Sequence, residues 1–228
     1  MDVIPRASAS SQETVPDSGK FRGSRSSSPW WFLVQLLAVV GASAVLGGAT
    51  SYAQTYLPDA LVPFANSASG WTILTVLVVA ACRAGTAPSA IFGSASFVAL
   101  VLGYQVVSGL RGFPTSETLF LIVGVIVGPF VGVAASWLRR DGWRMVLGCG
   151  ALSGIAVGEA LYGLILVVAS TGWFYWTLIG VVGLVLVALT AHGLNSVRTR
   201  LILLGGVLLV GAAYFFAFWY LGSAQLPF

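Results

Sequence analysis

The distribution of positive charge constrains this chain more than any other feature. Seven long apolar runs are separated by short gaps, and ten of the eleven Lys and Arg residues fall in gaps belonging to one side of a membrane. Arg6, Lys20, Arg22 and Arg25 precede the first run, and Arg83 follows the second. Arg139, Arg140 and Arg144 separate the fourth from the fifth, and Arg198 and Arg200 the sixth from the seventh. Arg111 alone falls on the other side. Lys and Arg are retained in the cytoplasm during insertion, so the bias predicts seven transmembrane helices with the N-terminus in and the C-terminus out.

Composition points the same way. Charged residues make up 8% of the chain, against about 25% in soluble domains, so lipid is the solvent for most of it. The expected fold is an all-α, polytopic integral membrane protein. A transmembrane barrel is excluded, because its strands alternate polar and apolar residues over about ten positions. The net charge of +4 sits at helix ends and in a tail, which suits orientation and anionic-lipid contact; no nucleic acid is expected as a partner. Residues 1–28 are Ser-rich with charges of both signs. They cannot bury a core and are predicted to form a disordered cytoplasmic tail, followed by a transmembrane bundle over 29–228. The first apolar run comes late and continues into a full-length span, unlike a cleaved signal. The expected location is the plasma membrane.

The predicted spans are Trp30–Thr50, Phe64–Arg83, Pro88–Leu110, Glu117–Leu138, Met145–Ala169, Trp173–Gly193 and Leu201–Leu221. Each has about 20 residues, enough for a hydrocarbon core of roughly 30 Å. Trp30 and Trp31 are placed as an interfacial anchor, and residues 51–63 form an outer segment. Short connections make consecutive helices antiparallel neighbours.

Small residues recur at spacing four. The fourth span carries Gly124, Gly128, Gly132 and Ser136, and the fifth carries Gly150, Gly154 and Gly158. Such ridges let helix backbones approach closely, and the simplest expectation packs these two spans on each other. Pro129 lies within the first ridge and removes one backbone donor.

Glu159 is the one acidic residue deep inside a predicted span. It follows Arg144 by 15 residues, about 22 Å of helix axis, which places it in the outer half of the membrane. An intramembrane carboxylate costs about 2.5–3.5 kcal/mol on insertion scales and is a functional candidate by default. Tyr162 is one turn along on its face. Asn66 and Ser67, Gln54, Tyr104, Gln105, Ser108 and Arg111 lie at comparable depth. The expected ligand-binding set is Glu159, Tyr162, Asn66, Tyr104, Gln105 and Arg111, lining an outward-facing polar pocket, with an Arg111–Glu159 pair if the third and fifth helices adjoin. The competing reading gives Glu159 a packing role.

Other chemistry is not indicated. His192 is the lone histidine, and Cys82 and Cys149 make no disulfide framework. There is no phosphate loop and no metalloprotease helix motif. Neither metal, cofactor nor catalytic residue is expected, and the chain is read as no enzyme.

Ala65-Asn66-Ser67-Ala68 with Trp71, the run Val127-Gly128-Pro129-Phe130-Val131-Gly132-Val133-Ala134 leading to Trp137 and Arg139, and Gly158-Glu159 with Tyr162 together resemble a family of multi-pass bacterial, mainly actinobacterial, membrane proteins known only as a domain of unknown function. The resemblance covers roughly Gly47 to Arg200. It implies a multi-pass fold in the plasma membrane, without a substrate, and it groups Asn66, Gly128, Pro129 and Glu159 as a set. A looser likeness, to the substrate-binding components of energy-coupling vitamin transporters, departs in span number (six there, seven here) and stays at the level of architecture. Two functions follow. One is a protein that binds or transports a small molecule through the pocket around Glu159. The other is a structural or regulatory subunit whose small-residue ridges pack on another membrane protein.

Overall fold

The computed structural model describes residues 29–116 and 118–223; the expected tail over 1–28 lies outside the described residues. Among the described residues the structure is helical throughout, with six helices long and apolar enough to cross a membrane, or seven spans when a bent helix pair counts as one. The helices are α1 (Pro29–Tyr56), α2 (Ala68–Cys82), α3 (Thr86–Leu110), α4 (Thr118–Trp137), α5 (Trp143–Tyr162), α6 (Val168–Thr171), α7 (Phe174–His192) and α8 (Val197–Ser223).

The second span departs from expectation. It is not one helix over Phe64–Arg83 but a 3-10 segment, Asp59–Asn66, followed by α2, with a bend of 63° between them. Pro58 opens the segment and Pro63 lies within it. At 15 residues, α2 is about 22 Å long, shorter than the roughly 30 Å hydrocarbon core. With Arg83 at one membrane surface, a helix of this length stops short of the other, which puts its first turn within the apolar layer. The first span is longer than expected, since α1 continues into the first half of the predicted outer segment, to Tyr56. The fifth is α5 prolonged through a π-helical stretch, Gly163–Val167, into α6. Gly163 is required there, because a Cβ would run into the Trp176 ring.

Two groups of helices flank α2. In one, α3 packs on both α1 and α4; in the other, α5 packs on both α7 and α8. Contacts between α4 and α5 join the groups, and α2 touches α1, α3, α4 and α5. Trp71 of α2 is 1% exposed and sits among Phe97, Tyr104 and Phe120, with ring centroids 5.0–6.0 Å away.

The small-residue ridges work as close-approach faces, but not against each other. Gly128 and Gly132 of α4 meet the α3 backbone at Ser89, Gly93 and Ser94, and Gly124 faces Phe97 and Val98. On α5, Gly158 meets Gly211 and Tyr214 of α8, Gly154 meets Val207 and Val210, and Gly150 lies by Leu203 and Gly206. α4 and α5 do pack on each other as expected, through Val131, Ala134 and Leu152, but not through the two ridges. Each ridge takes a different partner, and that divides the bundle into its two groups. α4 runs through Pro129 as one helix.

Candidate functional site

A helix that starts inside a membrane has a specific problem. Its first amide N–H groups have no intrahelical acceptor, and lipid offers none. In α2 three of them, those of Ala68, Ser69 and Gly70, are met by side chains. Ser67, in extended conformation (φ −130°, ψ 153°), is the N-cap, and its Oγ accepts from the Gly70 amide at 2.9 Å. Glu159 accepts from the other two: Ala68 N–H donates to Oε1 at 2.8 Å and Ser69 N–H to Oε2 at 2.7 Å. Tyr214 of α8 donates its hydroxyl to Oε1 at 3.0 Å. Glu159 is 2% exposed. The carboxylate is therefore a cap supplied by another helix, and its charge complements the positive end of the α2 dipole.

The network extends to α7, where the Tyr175 hydroxyl lies 2.5 Å from Ser67 Oγ. Two local features fold the 3-10 segment back over this turn. Trp71 Nε1 donates to the Ala65 carbonyl at 3.2 Å. Gly70 leaves room for the Phe64 carbonyl, which a Cβ there would strike. The far end of α2 is closed in the same manner. Arg139, just beyond α4, donates to the Ala80 carbonyl, and Gln35 of α1 donates to the Cys82 carbonyl at 2.9 Å. Arg83 turns the chain in a left-handed conformation, φ 50°. A carboxylate at the N-terminus and a guanidinium at the C-terminus match both poles of the helix.

The residues expected around Glu159 are divided by the structure. Tyr162 turns to α8, with its ring 5.8 Å from Phe218 and 6.3 Å from Phe215. Asn66 is exposed, and Gln105 is half-buried with no side-chain hydrogen bond among the described residues. The expected Arg111–Glu159 pair does not form, because each finds other partners. Arg111 donates to the Ser51 carbonyl, to Ser51 Oγ at 3.0 Å and to Thr55 Oγ1 at 2.5 Å, and lies 4.5 Å from the Tyr52 ring centroid. Ser108 donates to Ser51 at 2.8 Å, and Tyr104 to Gln54 at 3.1 Å. This second network fastens the C-terminal end of α3 to the last turns of α1. A guanidinium there lies along the last turns of α1, near the end where the dipole favours it, which accounts for an Arg on the sparsely charged side. Tyr175 and Tyr214 were not singled out by sequence reasoning. For Tyr214 the available signal was a phenol well inside an apolar helix, where an unpaired hydroxyl is costly; Tyr175, the second residue of α7, reads as an ordinary helix-end aromatic.

Two spaces adjoin the Glu159 network. An open cleft of about 770 Å³ lies between the 3-10 segment and the α6–α7 turn, lined by Asp59, Pro63, Thr171, Trp173 and Phe174 among others. Pro63 and Phe174 lie four residues and one residue before Ser67 and Tyr175, whose hydroxyls meet. A cavity of about 140 Å³ lies between α2, α5 and α7, with Ser69, Thr72, Ser153, Ala156 and Gly183 in its wall. Ser69 joins the two features, its amide bonded to Glu159 and its side chain in the cavity wall. Among the described residues no group of three or more His, Cys, Asp or Glu comes together as a metal site.

The chain belongs to a family of unknown function (DUF6518), whose model matches residues 25–223. No curated protein and no solved structure matches it.

Proposed function

We propose that this member of a family without an assigned activity binds a small molecule at the break in its second span and moves it across the plasma membrane, without catalysis. The observation that supports this is the discontinuous span itself. A bent helix pair breaks at a buried carboxylate, a cavity shares Ser69 with the polar network, and an open cleft lies along the 3-10 segment that leads into it. Membrane transporters use interrupted helices because only there are backbone polar groups free to meet a solute away from water. In this reading Glu159, Tyr214, Ser67 and Tyr175 form the polar centre. The cleft and the cavity are the two spaces from which a solute can approach it. Opening requires α2 to separate from the Glu159 carboxylate, so ligand contacts replace hydrogen bonds that the chain makes with itself. The partners are the bilayer and the solute.

A second reading has its own support. The Glu159 carboxylate is already bonded to two amides and a phenol, which suffices for a structural or regulatory membrane subunit that carries no solute.

A thermal-shift screen separates the two. Wild type and Glu159→Gln are purified and melted with a set of small metabolites. A compound that stabilises the wild type by mass action and leaves the variant unmoved supports binding at this centre. No stabilising compound, combined with a variant that loses stability or releases a co-purifying membrane protein, supports the subunit reading and contradicts the first.

A further inference from the structure

We infer that the cavity between α2, α5 and α7 receives the apolar tail of a small, uncharged amphiphile that enters from the lipid phase and places its hydroxyl or amide head at Ser69 and Ser153. The inference rests on the proposed function and specifies the class of solute. Three observations carry it.

The wall holds two orphaned hydroxyls. Ser153 is 0% and Ser69 is 2% exposed, and neither Oγ makes a hydrogen bond. Ser69 Oγ lies beside the Glu159 carboxylate and can turn to it, whereas Ser153 Oγ has no partner at all, so Ser153 carries the argument. Buried hydroxyls rarely go unpaired, since each leaves a desolvated polar group uncompensated. A hydroxyl or amide group, able to both donate and accept, matches both serines.

The remainder of the wall is nearly all aliphatic, and no charged residue contributes to it. A volume of about 140 Å³ is close to that of aliphatic cavities that stay dry and take a benzene-sized group, about 150 Å³. The tail is thus about six carbons or fewer, and a charged head would have no counterion other than a carboxylate already committed to α2.

The cavity borders lipid-facing residues. Leu77 and Val182 line it and are 61% and 47% exposed, so its mouth opens between α2 and α7. An apolar tail reaches this mouth through the bilayer without crossing the polar network.

The test uses the full chain in lipid nanodiscs and a six-carbon alkanol carrying a diazirine. After irradiation, labelled peptides are mapped by mass spectrometry, with 1-hexanol as competitor. Saturable, competable label on cavity residues of α2 and α7, such as Thr72 and Gly183, is expected. Ser153→Ala should weaken it roughly fivefold, the equivalent of one neutral hydrogen bond. Ala156→Leu, which occupies the space, should abolish it in protein that remains monodisperse. Unsaturable label spread equally over lipid-facing residues such as Leu208, or cavity label unaffected by Ser153→Ala, overturns the inference. If a soluble metabolite stabilises wild type alone while the cavity stays unlabelled, this inference fails and the proposed function stands. Competable cavity label in a protein that no soluble metabolite stabilises retains the amphiphile site and removes a water-borne solute.

Discussion

Replacing Glu159 tests how much of the bundle depends on closing a helix end inside the membrane. In Glu159→Gln the side chain keeps its length but has one acceptor oxygen instead of two. With the amide oxygen at the Oε1 position, the bonds from Ala68 N–H and the Tyr214 hydroxyl survive. The new NH2 then faces the Ser69 N–H, donor against donor. A hydrogen bond to a charged group contributes about 1.5–3 kcal/mol, and the lost charge–dipole attraction adds about 0.3–2 kcal/mol. The expected destabilisation is about 2–4 kcal/mol after allowing for relaxation. Glu159→Ala removes all three acceptor contacts, and should cost at least about as much. Glu159→Asp retains the charge but retracts it by one methylene, and should not restore stability. Equilibrium unfolding in mixed micelles, with SDS as denaturant and tryptophan fluorescence as readout, measures these differences. A Gln variant within about 0.5 kcal/mol of wild type, the range of ordinary surface substitutions, would refute the reasoning, and so would an Asp variant as stable as wild type.

Ser67→Ala and Tyr175→Phe each remove the hydroxyl–hydroxyl bond, and Ser67→Ala also removes the cap on Gly70. A double-mutant cycle in the same unfolding assay should show a coupling of about 0.5–1.5 kcal/mol, and strict additivity would contradict the contact. Gly132→Ala drives a Cβ into the Ser89 carbonyl and should lower stability by about 1–3 kcal/mol. Gly205→Ala meets no atom within 4 Å and should be neutral or stabilising by up to about 1 kcal/mol; equal losses at both sites would argue against the α3–α4 packing. A topology reporter fused after Phe228 should read the non-cytoplasmic side, and cytoplasmic activity there would overturn the orientation drawn from the basic residues.

Much of this architecture is legible in the sequence because apolarity over 20 residues is a strong local signal. The positions of the six long apolar helices and of the bent pair follow from it, with ends shifted by up to about a turn and a half. The break in the second is hidden by the same signal. Phe64–Asn66 continues directly into the apolar run and reads as the start of the span, with 51–63 as an outer segment, although Pro63 and the Ser67 cap before an apolar run are compatible with a helix starting late. Glu159 stands out because a lone carboxylate in lipid demands an explanation. Its partners do not, since the amides of Ala68 and Ser69 are backbone groups without a sequence signature. The glycine ridges illustrate a related limit. Spacing identifies a face that accepts a close neighbour, but Gly93 and Gly211, which complete those contacts, lie in helices without a comparably regular ridge. Arg111 reverses the case: an apparent anomaly of charge placement is resolved by the last turns of α1.

The most direct measurement is amide hydrogen exchange at the first turn of α2, residue by residue, in nanodiscs. Wild type should protect Ala68, Ser69 and Gly70, although they begin a helix. Glu159→Gln should release Ser69 most and leave Gly70, held by Ser67 Oγ, largely protected. Fast exchange of all three amides in wild type, or unchanged protection in the variant, would contradict a helix that begins inside the membrane on the Glu159 carboxylate.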